Sequence, residues 1–331
     1  MAELPRGSIG TPASGPRQRS VDWGWIVDRF ADWVLLPYFV AFCAPMVVYF
    51  VSHGLVGIDA RIYAHAASTW ISGGDPWRAP VEGFLFAAPP PTLLPFLPFA
   101  LLGETLSAVL WVSGSLVAGI LLIRRLGLPG WWILFPPLVN GILGGNPDVV
   151  LVALLVMGGT GGAVIATFLK IYALVPILGE RRWRPLLVTG GALLVTVPLL
   201  PWHTYLHDWD EIAATLGSQS LLVGGYPTVW LVVATAIALA GLGARSAGWL
   251  AVPALWPSFQ PHYSMLALPV LARGRASRFI VIIAAMLYAP AIRWFPAAAV
   301  LVLFGGAIVT RLRSGPAKPD GRPVARRPPP R

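Results

Sequence analysis

The sequence predicts an all-α protein built to sit in a membrane, and three observations carry that expectation. Of 331 residues, 56% are hydrophobic and only 11% charged, where soluble domains carry roughly a quarter charged residues. Apolar stretches recur between residues 34 and 310, separated by short polar or Gly/Pro-rich breaks. Arginines gather in clusters between those stretches and again after Thr310, the distribution that orients membrane helices. A mean hydropathy of +0.70 points the same way. So do the 15 Trp and 33 Pro, because Trp lines bilayer interfaces and Pro is tolerated in membrane helices.

Taken in order, residues 1–33 read as a cytoplasmic N-terminal segment. Its first twenty residues are rich in Pro, Gly, Ser and Arg and are expected to be disordered. Residues 22–33 look amphipathic, and no apolar core of a cleavable signal peptide is visible. A polytopic domain is expected over 34–310. Its first span, 34–52, is long enough for the roughly 30 Å hydrocarbon core. A first outer loop, 58–90, follows. Within it Asp59 to Ser72 reads as a short amphipathic helix, ended by Gly73, Gly74 and Pro76. Apolar segments then fall near 90–102, 105–123, 129–143, 147–159, 161–178, 185–202, 227–243, 247–259, 263–272, 279–289 and 294–310. That gives about 10–12 transmembrane helices, and the segments shorter than about 20 residues must be broken, tilted or re-entrant. A second outer loop spans 203–226. The basic, Pro-rich tail 311–331 is expected to be disordered and cytoplasmic.

Orientation follows from the arginines. Arg181, Arg182, Arg184, Arg273, Arg275, Arg278 and the tail belong in the cytoplasm. Twelve crossings satisfy these clusters but leave Arg124 and Arg125 outside, unless a nearby segment is fused or re-entrant. The outer face then collects Asp59, Asp75 and Glu82, with Asp208, Asp210 and Glu211 in the second loop, and all five histidines lie at or near it. The net charge of +10 is accounted for by orientation, so no nucleic-acid partner is expected. Cys43 is alone, which excludes an internal disulfide and a four-cysteine metal site. His203 and His207 share a helix face, but their His-Thr-Tyr-Leu-His setting lacks the Glu of a zinc protease. No metal and no cofactor are expected.

The most specific stretch runs from Gly57 to Pro98. It contains Gly57-x-Asp59-x-x-x-Tyr63, then Gly73-Gly74-Asp75-Pro76-Trp77, then Phe84-x-Phe86-x-x-Pro89-Pro90-Pro91 before an apolar helix. This resembles the first outer loop of the GT-C superfamily of membrane glycosyltransferases. It is most similar to glycosyltransferase family 87, the polyprenol-phosphate-mannose-dependent α-mannosyltransferases. Gly145-Asn146-x-Asp148, Ala166-x-x-x-Lys170 before Arg181-Arg182-Trp183-Arg184, and Pro261-His262-Tyr263 resemble later family features. Two departures stand out: Ala87 and Ala88 precede the prolines where the family often has Tyr, and Asp59 has no adjacent second carboxylate. The resemblance implies a GT-C-type helical bundle in the plasma membrane that works at its extracytoplasmic side. It also implies an inverting transfer of a sugar, mannose by resemblance, from a polyprenyl-phosphate donor to a lipid or glycan acceptor, without a metal.

Such a transfer needs a base for the acceptor hydroxyl and a cation for the departing phosphate. Asp59 is the candidate base, expected just outside the first span at headgroup depth. Tyr63 lies one turn on and shares its face. The bland reading of Asp59 is a helix cap. Lys170 is the one lysine in an apolar segment, and a buried cation there is a functional candidate by default; it would meet the donor phosphate. Arg61 and Arg78 are competing phosphate ligands, and Asp75 and Trp77 complete the substrate-binding turn. His262 and Tyr263 would contact the acceptor, His262 helping the proton leave. Asn146 and Asp148 read as caps of the helix that begins near Val149. Two other functions fit the same sequence: a transporter or flippase of a lipid-linked sugar, and an inactive relative that assists assembly.

Overall fold

The computed structural model describes residues 23–219, 229–256 and 260–273, with positions 301, 304, 305 and 308. The expectations for residues 1–22, for the segment 279–289, for most of 294–310 and for the 311–331 tail lie outside the described residues. So does part of the second outer loop, at 220–226. Among the described residues the structure is helical, with one isolated bridge between Val81 and Phe84 and no strand.

Two helices are long and apolar enough to cross a membrane. One is the Trp33–Ser52 part of α1 (Trp23–Ser52), and the other is α4 (Glu104–Arg125). A third appears if α5 (Pro136–Gly144) and α6 (Asp148–Met157), bent by 115° at their junction, count as one broken span. The remaining apolar segments of the sequence become shorter elements. The reason is local: each carries a break that the helix cannot cross. Phe135-Pro136 splits 129–143, because the residue before proline is pushed out of the helical region, and Phe135 adopts ψ 117°. Gly158-Gly159 separates α6 from α7 (Gly159–Leu169). The 161–178 stretch breaks at Lys170, which is extended (φ −153°, ψ 124°), before a short turn at Ile171–Ala173 and α8 (Leu174–Gly179).

The elements run between two polar ends. At one end Asp59, Asn146, Lys170, Trp202, Tyr205, Trp256, Gln260 and Tyr263 converge. At the other Arg125, Leu155, Gly159, Glu180, Arg182, Arg245 and Arg273 converge. The chain passes from one to the other in α6 and back in α7, down again to Glu180, and back through α9 (Trp183–Thr196). It returns along α13 (Ala244–Leu255) and finishes through the turn Pro261–Ala267 and α14 (Leu268–Leu271). Arg125 therefore shares an end with Arg182 and Arg273. This is the arrangement the sequence allowed if a nearby segment were fused or re-entrant, and α5 and α6 meet there at a bend of 115°.

The exterior of the long helices is apolar. Val40, Val48 and Val51 on α1, and Leu106, Val109 and Val117 on α4, are exposed. On α9, Leu187 and Leu194 are 75% and 72% exposed. A contiguous apolar exterior of this kind marks a membrane-facing or partner-facing surface. Close approach in the interior rests on glycine pairs. Gly179 and Gly248 let α8 and α13 touch backbone to backbone, since a Cβ on Gly179 would stand 2.6 Å from the Gly248 Cα.

The first loop is anchored rather than open. The expected helix is present as α2 (Ile58–Ile71), and the aromatic residues of the loop pack inward. Phe86 and Phe96 flank the Tyr63 ring at 5.3 and 4.9 Å. Thr92, at the end of the Pro89–Pro91 run and before α3 (Leu93–Ala100), donates its hydroxyl to the Leu169 carbonyl at 3.3 Å. That bond ties the first loop to the end of α7.

Candidate functional site

Asp59 lies in the first turn of α2 and does not cap it. The position before the helix is Gly57, at φ +72°, a conformation that glycine adopts without strain. The same glycine allows close packing, because a Cβ there would sit 2.7 Å from Ala108 Cβ. Its N–H donates to the Leu143 carbonyl at 2.7 Å. Gly145, at φ +68°, faces it, with an added Cβ 3.1 Å from Ala60 Cβ. Two small left-handed residues thus press the α5–α6 corner against the start of α2. The corner delivers Asn146, whose Nδ2 donates to Asp59 Oδ2 at 2.7 Å. Asn146 Oδ1 in turn accepts from the Asp148 N–H at 3.0 Å. The cap position of α6 is Pro147; Asn146, one residue earlier, holds the N–H of the helix's first residue and also orients the Asp59 carboxylate.

Burial pushes the Asp59 carboxyl above the usual carboxylate range, while the Asn146 hydrogen bond and the charge of Lys170 pull it back. Burial also pushes the Tyr63 hydroxyl up to about 12, against the pull of Lys170, so Tyr63 stays a neutral donor at ordinary pH.

Lys170 ends α7, where the helix dipole favours a cation. Its Nζ stands 5.9 Å from the Tyr63 ring centre, 6.0 Å from Tyr172 and 5.6 Å from Tyr263. Three aromatic rings within about 6 Å form a cation cage. The Tyr172 hydroxyl donates to Asp148 Oδ1, and Asp148 is fully buried. His262 is buried behind the same carboxylate, with Nε2 3.4 Å from Asp148 Oδ2. Its ring stands edge-on to Tyr263 at 4.9 Å between centres. Gly141 makes room here, since a Cβ would meet Met265 at 2.6 Å and His262 at 3.6 Å.

A cavity of about 330 Å³ opens onto this array. Asp59, Tyr63, Asn146, Lys170, Tyr172 and Tyr263 form its polar wall. Ile62, Leu85, Phe86, Ile171, Leu216 and Trp256 form an apolar one, with Trp202, Tyr205 and Trp209 from α10 (Trp202–His207) and α11 (Trp209–Gln219) at its edge.

Of the residues singled out by sequence, the structure gathers Asp59, Tyr63, Lys170 and Tyr263 around one space. The others stand elsewhere. His262 does not line the cavity; it backs Asp148. Arg61 bonds Glu82 at 2.5 Å and the Gly54 carbonyl at 2.7 Å, so its guanidinium is held by the loop. Asp75 caps the turn Pro76–Arg78 by accepting from the Trp77 N–H at 2.9 Å. Trp77 is buried, with its indole N–H donated to the Ala88 carbonyl at 3.0 Å. Arg78 joins Asp208 at 3.1 Å and Glu211 at 3.4 Å, clamping α11 to the first loop. These four bind the loop to itself and to α10–α11.

Sequence reasoning missed two residues. Asp148 was expected only to cap a helix, yet its side chain turns inward to Tyr172 and His262. Tyr172 carried no expectation; its one signal was its position two residues beyond Lys170. Comparison with protein-family models, with curated proteins and with solved structures finds no match to this chain.

Proposed function

We propose that this protein is a membrane glycosyltransferase of GT-C type, moving a sugar from a polyprenyl phosphate to a hydroxyl of a lipid or glycan acceptor. The observation that carries the reading is the joint presence, on one cavity wall, of an oriented buried carboxylate and a tyrosine-caged ammonium. An apolar wall of a kind suited to an isoprenoid chain faces them. The apolar exterior of α1, α4 and α9 supports a membrane setting, with the arginine-lined end at one face. The resemblance of the Gly57–Pro98 stretch to family 87 supports mannose as the sugar.

In this reading the acceptor oxygen attacks the anomeric carbon and its proton passes to Asp59. The bond from that carbon to the phosphate oxygen breaks. Polyprenyl phosphate departs with its new charge beside Lys170, and the configuration at the anomeric carbon inverts. A carboxylate whose pKa is raised by burial is a stronger base, and this suits the proton transfer. A caged cation placed before the charge develops stabilises the leaving group without reorganising. Tyr63 and Tyr263 hydroxyls stand where they can donate to phosphate or sugar oxygens. Asp148, held by Tyr172, balances Lys170 from behind.

The test is reconstitution in liposomes with labelled polyprenyl-phosphate mannose and candidate acceptors, beside Asp59→Asn. Transfer by the wild type and its loss in the variant support the proposal. Movement of the lipid-linked sugar across the bilayer without transfer sinks it in favour of a flippase. Binding of donor with neither outcome identifies an inactive relative.

A further inference from the structure

The end of the bundle opposite the carboxylate holds a second cavity, of about 440 Å³, within the range of small-ligand sites. Four arginines line it (Arg125, Arg182, Arg245 and Arg273), and Glu180 is the one carboxylate among its lining residues. That carboxylate is already shared. Glu180 Oε1 accepts from the Trp249 indole N–H at 2.9 Å and from Arg273 Nη2 at 3.4 Å, and lies 3.6 Å from Arg245 Nε. Arg182 is fixed by backbone, donating to the Leu155 and Gly159 carbonyls at 2.9 Å each. Arg125, the last residue of α4, forms no ion pair among the described residues.

The rule that orients membrane helices counts basic residues and does not require them to converge. Here four elements far apart in sequence bring guanidinium groups to one concave space, with a single shared carboxylate as internal counter-charge. Such a site lacks an anion. Arginine matches phosphate oxygens through paired N–H donors, and basic pockets between membrane helices bind phosphate-bearing headgroups. The aromatic residue present, Trp249, is 1% exposed, so no ring face is offered on which a nucleobase could stack. Leu126, Val156, Pro269 and Ala272 give the cavity an apolar side.

We infer that this cavity binds a phosphate mono- or diester, either the headgroup of an anionic lipid or a soluble phosphate ester. The site is separate from the carboxylate–lysine cavity and does not rest on the transferase reading.

The experiment is equilibrium binding to the purified full-length protein in a neutral detergent. The probes are dihexanoyl phosphatidylglycerol, dihexanoyl phosphatidylcholine and glycerol 3-phosphate. The expected result is saturable binding of the anionic probes, with phosphatidylcholine weaker. Preference for phosphatidylglycerol over glycerol 3-phosphate assigns the site to a lipid, and equal affinity assigns it to a soluble ester. Arg125→Ala should weaken binding by about tenfold, the scale of one charge-assisted phosphate contact. Arg184→Ala, which removes the same charge at the same end but outside the cavity lining, should leave it unchanged. If Arg125→Ala does not yield folded protein, Arg273→Ala replaces it with the same expectation. Absence of saturable binding, or equal weakening by Arg184→Ala, overturns the inference.

Discussion

Replacing Asn146 by alanine probes how the protein sets the basicity of Asp59. Asn146 Nδ2 contributes the one side-chain hydrogen bond shown to Asp59, at 2.7 Å. It stabilises the ionised form and so opposes the upward push of burial. A hydrogen bond to a charged group contributes about 1.5–3 kcal/mol, and one pKa unit corresponds to about 1.4 kcal/mol. Its loss therefore raises the Asp59 pKa further. The sign for activity follows. A base works ionised, so the rate rises with pH as Asp59 deprotonates, and the variant's rise should come at higher pH than the wild type's. Below both midpoints transfer should fall by about 10- to 100-fold, the equivalent of one hydrogen bond to a charged group, and at high pH the variant should recover most of its rate. The assay is the pH profile of sugar transfer from labelled polyprenyl phosphate in liposomes. A uniform loss at every pH, with the midpoint unmoved, would refute the role assigned to Asn146. It would leave only its bond to the Asp148 N–H at 3.0 Å.

Three further outcomes are expected. Lys170→Met should lower the transfer rate by about 100-fold, the usual cost of removing one preorganised group that stabilises developing charge; Lys170→Arg should restore only part of it, because a guanidinium spreads its charge over a planar fork where the lysine presents a compact ammonium. Tyr172→Phe should leave a buried Asp148 oxygen without its donor, costing about 1–3 kcal/mol, read as a lower midpoint in thermal unfolding. Gly57→Ala should place a Cβ against Ala108 at 2.7 Å in a left-handed backbone. Strain of about 1–2 kcal/mol and the forced separation of α2 from the α5–α6 corner should abolish transfer more than they lower stability, read by the same two assays.

The parts of the site legible in the sequence were those that are unusual where they stand. Lys170 is a cation in an apolar run, and Asp59 is a carboxylate at the start of a short helix after a long apolar one. Lys170 was found because membrane burial makes such a residue costly, and Asp59 because its Gly57-x-Asp59-x-x-x-Tyr63 setting resembles that of a family. Asp148 was not, because an acidic residue at a helix start has a common local explanation. Its partners, Tyr172 and His262, are 24 and 114 positions away, and no spacing rule connects them. Arg61, Arg78, Asp75 and Trp77 stand apart from the carboxylate–lysine cavity. Loop arginines and a Gly-Asp-Pro-aromatic turn look like ligand chemistry, but each polar group meets a loop, helix or backbone partner. Helix content was legible from apolar runs. Helix length was not, because Phe135-Pro136 and the extended Lys170 divide runs that look continuous.

Those divisions also set how deep the chemistry lies. α6 has ten residues and α7 eleven, so each is about 15–17 Å long at 1.5 Å per residue. Both join the carboxylate–lysine end to the arginine-lined end. If the arginines mark one membrane face, Asp148 and Lys170 stand about half the roughly 30 Å hydrocarbon thickness away from it. The sequence placed Asp59 at headgroup depth, on the assumption that it simply follows a full span. On that same condition its partners Asp148 and Lys170 would lie lower than headgroup depth, beside a cavity that α10 and α11 border. A donor would then reach the lysine by sliding its isoprenoid along the apolar wall, and an acceptor would enter past Trp202 and Trp209.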